Sequence, residues 1–378
     1  MDVDGGVPAE VLDAYGAGEA TITPLSGGRT NRTLRVVAGR PGSGDTSRGG
    51  DLVLQQLRSI SGSDLLGIME NLVRVAAHLD WKHHVAQMEG DGPNHSGRSS
   101  QTWWPELVPT GASKPYLFDA DGRLWRAFRY RSGRIGRPIL PLDSLASAAA
   151  LFGRFSNATA DLGGPDLVET SPGFHDLDVI WSSFETTLDA ASPESAAPVR
   201  DHLDEIEAVR GRLDARVIDD GLDDLIPRVV HNDTKISNVL LHDTSADAIA
   251  VLDLDLAMMG PIWHDVGDLV RSIAWHLDDA GPTMVDHVFE TVCAAFVRGA
   301  GETVSDAEIA TFAVAGPRLA FELGTRYLTG HLDPANALRV EGDLGRLHRG
   351  MANVNLAAEM LNAYDALRYV VDDLTTRR

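Results

Sequence analysis

The sequence predicts an α+β protein of two lobes, a small antiparallel β-sheet lobe carrying one main helix and then a large helical lobe. Three observations carry this. Short runs rich in Thr, Ile, Val and Leu fill the first third, and their connections are too short for crossover helices. One amphipathic stretch interrupts them. Beyond residue 138 helical patterning dominates, and the main strand-like runs fall between residues 228 and 256.

The elements follow in order. Residues 19–25 (EATITPL) and 31–37 (NRTLRVV) read as strands separated by SGGRT. After the connector AGRPGSGDTSRGG, the run DLVLQQLR at 51–58 reads as a third strand. A helix is expected from Asp64 to Leu79, because Leu65, Leu66, Met69, Leu72, Val73, Ala76 and Leu79 share one face. PYLFD (115–119) and RLWRAFRYR (123–131) read as two more strands around an Ala-Asp-Gly turn, and SGRIGRP (132–138) as a linker. The lobes are therefore expected at 1–133 and 134–378, with a cleft between them.

In the second lobe Asp143 is placed to cap a helix over 144–162, which the Gly-Gly pair at 163–164 stops. Further helices are expected near 177–191, 199–215, 283–299, 305–329 and 342–370. PRVVHNDTKISNVLL and AIAVLDLDLA form a hairpin-like insert among them.

At 43% hydrophobic and 23% charged, the 378 residues suit a soluble globular protein of one large or two ordinary domains. A net charge of −22 argues against a general nucleic-acid binder, which would need a basic face. The single cysteine, Cys293, rules out a disulfide within the chain and fits a reducing compartment. The acidic N-terminus lacks the pattern of a signal peptide, and no apolar run is long enough for a membrane span. A cytoplasmic location with no membrane partner is expected.

The segment HNDTKISN at 231–238 places His231, Asp233, Lys235 and Asn238 between two buried-looking runs. Asp253 follows twenty residues after Asp233 at the end of IAVLDL, and Asp255 two positions later. If the strand continues, both carboxylates point to one side. Phosphoryl transfer from a nucleotide needs a carboxylate to orient and deprotonate the attacking hydroxyl, an Asp and an Asn to hold Mg²⁺, and a cation on the moving group. The kinase pattern H-R-D-x-x-x-x-N followed by a metal-binding Asp fits here, with Asn232 in place of Arg and D-L-D in place of D-F-G. His231 reads as an organiser of the loop. Lys235 is either a γ-phosphate contact or a plain loop residue; Asp255 is a ligand, a substrate contact or structural. Only Lys82, Lys114 and Lys235 are lysines, so a loop lysine stands out.

The chain resembles the aminoglycoside phosphotransferase and choline kinase superfamily, whose fold is protein-kinase-like, and within it most nearly the N-acetylhexosamine 1-kinases. The resemblance runs over residues 21–332 and is carried by TPLSGGRTNRTLRV, LVLQQLR, LLGIMENLVRVAAHL, LVPTGASKPYLFDADGRLWRAFRY, SPGFHDL, HNDTKISNVLL, VLDLDLAMMGPIWHDVGDLVRS and FELGTRYLTGHL. It implies a nucleotide-binding first lobe with a hinge, and a second lobe holding the catalytic loop and acceptor site. Asp233 would be the base, and Asn238 and Asp253 the Mg²⁺ ligands. SGGRTNR, with Gly27, Gly28, Arg29, Thr30 and Asn31, would lie over the phosphates of ATP, with the adenine near Arg129–Gly133. Asp265 and Asp268 would brace the loop after the metal site, and Arg326 would touch the sugar or lie as an ordinary helix arginine.

There are departures. The lysine of the third strand is absent; Gln55, Gln56 and Arg58 stand there, and Glu70 loses its ordinary ion-pair partner. Arg29 or Arg58 is expected to supply the missing charge. The acceptor expected from the resemblance is the anomeric O1 of a hexosamine or N-acetylhexosamine. The alternatives are an aminoglycoside, nucleoside-antibiotic or other natural-product acceptor, as in antibiotic resistance, and an inactive pseudokinase.

Overall fold

The computed structural model describes residues 6–25, 31–37, 50–58, 64–88, 102–136, 140–220, 222, 225–274, 283–334 and 345–378. The chain divides into two compact units, Met1–Gly133 and Arg134–Arg378.

In the first unit, α1 (Ala9–Ala14), β1 (Thr21–Pro24), β2 (Arg32–Val37) and β3 (Leu52–Gln56) precede α2 (Leu65–Met88). β4 (Leu107–Val108), β5 (Leu117–Phe118) and β6 (Leu124–Arg129) complete it. The sheet runs β1-β2-β3-β6-β4 with β5 also on β6, every pair antiparallel. Alternation decides its faces: Leu34, Val36, Leu52, Leu54, Trp125 and Ala127 make one buried cluster with Val11 and Ala17. α1 is absent from the sequence expectation because it is short, lacks a side-chain cap and buries only Val11. α2 runs beyond the expected Leu79. Its apolar stripe ends there, and polar bonds such as Trp104 Nε1–H to Asp80 Oδ1 (3.1 Å) accompany the later turns.

The second unit begins with β7 (Arg134–Ile135), where a linker was expected; β7 pairs with β9. Then come α3 (Leu142–Thr159), α4 (Leu177–Ala190), α5 (Pro193–Arg200), α6 (Leu203–Asp220), β8 (Arg228–Val230), β9 (Val239–Leu241), β10 (Ala248–Val251) and β11 (Met258–Gly260). The helices α7 (Trp263–Ala274), α8 (Thr283–Ala300), α9 (Asp306–Ala310), α10 (Phe312–Leu332), α11 (Arg346–Asn362) and α12 (Tyr364–Thr376) finish the chain. Two small sheets, β10-β9-β7 and β11-β8, frame the loop of interest. Among the described residues, no helix is long and apolar enough to cross a membrane.

Several boundaries differ from expectation for identifiable reasons. Asp143 lies in the first turn of α3 rather than capping it, since Pro141 holds the cap position, and α3 ends at Thr159, before the glycine pair. The helix expected over 199–215 is two, α5 and α6: Ser192 caps α5 by accepting from Ser195 N–H at 3.2 Å, and Pro193 starts it. Ser305 and Glu308 form a capping box that opens the short α9 ahead of α10. The single helix expected over 342–370 is α11 and α12.

α3 and α8 approach closely enough that glycine is required on both. A Cβ on Gly153 would lie 2.1 Å from the Phe296 carbonyl oxygen, and one on Gly299 would lie 2.1 Å from that of Ala150. Gly153→Ala is therefore expected to force the helices apart and destabilise by about 1–3 kcal/mol. Urea unfolding should show a lower midpoint at an unchanged slope.

Candidate active site

The segment 231–238 leaves β8 and returns into β9, closing with a 3₁₀ turn at Ile236–Asn238. Its backbone is clamped from α7. The fully buried Asp265 carboxylate accepts His231 N–H (3.0 Å) and Asn232 N–H (2.8 Å), and the Asp265 carbonyl accepts the Thr234 hydroxyl. Ser272 Oγ accepts Ile236 N–H at 3.1 Å. His231 Nε2 lies 2.9 Å from the Leu252 carbonyl, and Asp233 N–H lies 3.3 Å from Nδ1. A carbonyl only accepts and an N–H only donates, so the ring carries its proton on Nε2. Phe152 and Phe155 of α3 hold that ring edge-on. His231 is thus the loop organiser that the sequence suggested.

Asn232 adopts a left-handed backbone, φ 61°, which asparagine tolerates better than most residues. Its Nδ2–H donates to the Leu256 carbonyl at 2.9 Å, leaving Oδ1 to accept from His264 Nδ1–H at 2.8 Å. Asp265, expected to brace the loop after the metal site, thus holds the segment after β8 instead, and Asp268 takes Arg271 of its own helix.

The three polar side chains of the loop meet. Asp233 Oδ2 contacts Lys235 Nζ and accepts Asn238 Nδ2–H at 2.8 Å, and Nδ2 also reaches the Asp233 carbonyl at 2.8 Å. Burial pushes the Asp233 carboxyl up, but Lys235 and the Asn238 bond outweigh it and hold the carboxyl below its ordinary range. Burial likewise lowers Lys235, and Asp233, Asp253 and Asp268 more than restore it. Asp253 follows β10 with φ 61° and ψ 68°, exposed, and Asp255 lies in the next 3₁₀ turn. The strand therefore does not continue to Asp255, and the alternation that would align the two carboxylates is lost. A left-handed non-glycine residue is a strained conformation of the kind that collects at functional sites.

Asn238 and Asp253 offer hard oxygen donors. Among the described residues no cluster of three or more metal-binding His, Cys, Asp or Glu exists. That set fits Mg²⁺, which takes one or two carboxylates plus substrate phosphates rather than an all-protein cage.

Of the nucleotide-site residues expected in the first unit, Gly27, Gly28, Arg29 and Thr30 lie outside the described residues. Asn31 Oδ1 accepts Arg58 N–H at 3.2 Å, and the Arg58 side chain is exposed past the end of β3. Arg129 closes β6, with Nε 3.9 Å from Glu106. Gln55 binds a residue that sequence reading missed: Arg126 donates from Nε and Nη2 to Gln55 Oε1 at 2.9 and 2.7 Å. Glu70 faces solvent on α2.

A cavity of about 970 Å³ opens within the second unit, and Asn232, next to Asp233, lines it. Phe174, His175, Met258, Trp263 and His264 form one part of its wall, and Asp166, Glu169, Asp176, Asp178 and Asp214 supply carboxylates. His175 Nδ1 lies 2.8 Å from Glu322 Oε2, which Arg318 also supports through Oε1. Burial, with His175 and Arg318 alongside, holds His264 well below the ordinary histidine range. Arg326 stands behind this wall, its guanidinium 4.6 Å over the Phe174 ring. Several of these residues lie in segments that carry the resemblance, SPGFHDL, VLDLDLAMMGPIWHDVGDLVRS and FELGTRYLTGHL, but of them the sequence singles out only Arg326.

Burial raises the Asp265 carboxyl from 3.8 to about 6, against the pull of His231 and the two backbone N–H groups. A carboxyl raised by folding contributes stability that is full below its unfolded value and lost as pH rises through its folded value. A rise from about pH 4.5 to about pH 7 should therefore cost about 2 kcal/mol, since each tenfold change in a proton equilibrium is worth about 1.4 kcal/mol. Asp265→Asn, which does not titrate, should lack that decline in urea unfolding at the two pH values. It should also lose turnover, because one amide oxygen cannot serve both N–H groups.

The family model described as the phosphotransferase enzyme family matches residues 21–300. Among solved structures, an aminoglycoside phosphotransferase from Alicyclobacillus acidocaldarius is 16% identical over 98% of both chains, with TM-score 0.61. A microcompartment-associated aminopropanol kinase is 15% identical over 97% of both, with TM-score 0.60. A spectinomycin phosphotransferase, solved with ADP and spectinomycin, is 12% identical over 95% of this chain and 97% of its own, with TM-score 0.54. At such identities the structures speak for the fold alone, which is the kinase-like α+β fold expected. The family match covers both the sheet unit and the clamped H-N-D-T-K loop, and the chain belongs to the phosphotransferase enzyme family, the nucleotide-dependent kinases of small molecules.

Proposed function

We propose that the protein transfers the γ-phosphoryl group of ATP to a hydroxyl of a small sugar-like acceptor held in the cavity beside Asn232. One observation carries this reading: the Asp233 carboxylate is held ionised on Lys235 and Asn238, one residue from a cavity wall. ADP in the spectinomycin phosphotransferase supports ATP as donor.

In this reading Asp233 accepts the proton of the acceptor hydroxyl. A carboxylate held below its ordinary range is a weak base, so it orients the hydroxyl first. It takes the proton late, as the oxygen bonds to phosphorus; this suits a loose transition state. Lys235, with three ammonium protons, can keep Asp233 and donate to the moving phosphoryl group. Asn238 Oδ1 and Asp253 would hold Mg²⁺, which when bound neutralises charge on the β- and γ-phosphates. Asn31, Gln55, Arg58 and Arg129, with the loop from Gly27 to Thr30, are the proposed contacts to ATP.

For the acceptor we favour the anomeric O1 of a hexosamine or N-acetylhexosamine, on the resemblance of the motifs. Asp255 and Arg326 are carried as acceptor-side residues of that reading. The cavity itself favours a second. Its carboxylates outnumber Arg210 and Arg318, and Arg210 is already shared by Asp178 and Asp214. A volume near 970 Å³ is also at the upper end for small-ligand pockets. Both features fit a larger, amine-bearing acceptor of the aminoglycoside kind.

Asp233→Asn should lower kcat by roughly 10²–10⁴-fold, the usual worth of a general base, with little change in ATP affinity. Retention of more than about a third of wild-type kcat would remove the base assignment. An ATP-consumption screen over hexosamines, N-acetylhexosamines, aminoglycosides and nucleosides identifies the acceptor. If it is a sugar O1, the free sugar should be consumed and its 1-O-methyl glycoside should not. Phosphorus NMR should then show coupling to the anomeric proton. Phosphorylation of the methyl glycoside would decide for the aminoglycoside-type reading.

A further inference from the structure

Kinases of this fold place a lysine on the third strand to reach the phosphates; β3 has Gln55 instead. The ladder register sets Thr33, Gln55 and Arg126 in one row across β2, β3 and β6. Directly opposed residues project to the same face of a sheet, so their side chains can meet. They do. Arg126 Nε and Nη2 both donate to Gln55 Oε1, at 2.9 and 2.7 Å, and Gln55 Nε2–H donates to Thr33 Oγ1 at 3.2 Å.

Arg126 is only 1% exposed, with Nη1 3.8 Å from Met69 Sδ of α2 and the guanidinium 5.0 Å from the Phe128 ring centre. Arginine is seldom fully buried. A row meant only to pack would be filled more cheaply by apolar side chains. Two bonds to a single oxygen fix the charge in place. They also polarise the amide, so the Nε2 protons become stronger donors. Nε2 has two protons, of which Thr33 takes one, and Gln55 is only half-buried.

We propose that Arg126 is a positioning residue for the nucleotide, supplying from β6 the fixed charge of the missing strand lysine and acting through Gln55, whose Nε2–H donates to a phosphate oxygen. The inference rests on the reading that the protein binds ATP, and it differs from the expectation that Arg29 or Arg58 fills the gap.

Gln55→Glu separates this from a packing role. Glutamate keeps the shape, accepts the same two bonds and pairs more strongly with Arg126. A packing role alone then leaves both melting temperature and nucleotide affinity intact. Under the proposal the site loses a donor and its positive charge is neutralised. Titration calorimetry with Mg·ATP should show Kd rising about tenfold or more, the worth of a charged hydrogen bond, at an unchanged melting temperature. Arg126→Met should weaken binding to a similar degree. The double variant Gln55→Lys/Arg126→Met moves the charge onto β3 and should recover affinity to within a few-fold of wild type. A folded Gln55→Glu protein with Kd within about twofold of wild type overturns the proposal. So does a double variant no better than Arg126→Met. Wild-type protein that binds no Mg·ATP would instead overturn the kinase reading, and this inference with it.

Discussion

One buried carboxylate carries the geometry of the loop at 231–238. Asp265, at the start of α7, accepts the backbone N–H groups of two consecutive residues 33 and 34 positions earlier in the chain. Removing that acceptor would strand two buried donors, each costing about 1–3 kcal/mol. The same bonds hold Asn232 in its left-handed conformation, and that residue points the chain so that Asp233, Lys235 and Asn238 converge. The ring of His231, gripped by Phe152, Phe155 and the Leu252 carbonyl, pins the other side. A short loop that would otherwise sample many conformations is thereby over-determined, which is what precise positioning of a base requires.

Charge is arranged with similar economy. In a chain of net charge −22, Lys235 is set among Asp233, Asp253 and Asp268, and their field keeps it charged despite burial. Its nearest neighbour is the proposed base, so each ion stabilises the form of the other that phosphoryl transfer needs. The sheet unit uses a different solution. Arg126 is buried with two of its hydrogen bonds on the Gln55 amide oxygen.

In the proposed reading, chemistry and acceptor choice are written at different places in the second unit. The loop residues lie within eight positions of one another, held by one helix. The cavity wall is gathered from segments spread over residues 166–318, including Phe174 and His175, Arg210, Trp263 and His264, and Arg318. His264 links the two, since its Nδ1–H supports Asn232 while its ring faces the cavity. Acceptor choice can thus drift by changing wall residues while the clamped loop is kept.

The sequence by itself determined the class of fold and singled out the loop at 231–238. Hydrophobic alternation in EATITPL, NRTLRVV and DLVLQQLR dictates antiparallel strands, and the polar run HNDTKISN between apolar flanks could only be a built loop. Those are local signals: periodicity, spacing and turn chemistry act within a few residues. It also marked His231 as structural, while Asp265, expected to brace the loop after the metal site, holds the backbone at His231 and Asn232 instead. Tertiary structure alone decided the rest. The left-handed turn at Asp253 ends β10 early and separates it from Asp255, because Asp255 enters a 3₁₀ turn rather than a strand. Asp268 pairs with Arg271 of its own helix, and reaches the loop only through its charge on Lys235. Arg126 meets Gln55 across 71 residues, and no period in the sequence announces that pairing, because strand register is set by the whole sheet. The cavity is likewise invisible in one dimension: its volume and charge exist only where distant helices and turns happen to face one another.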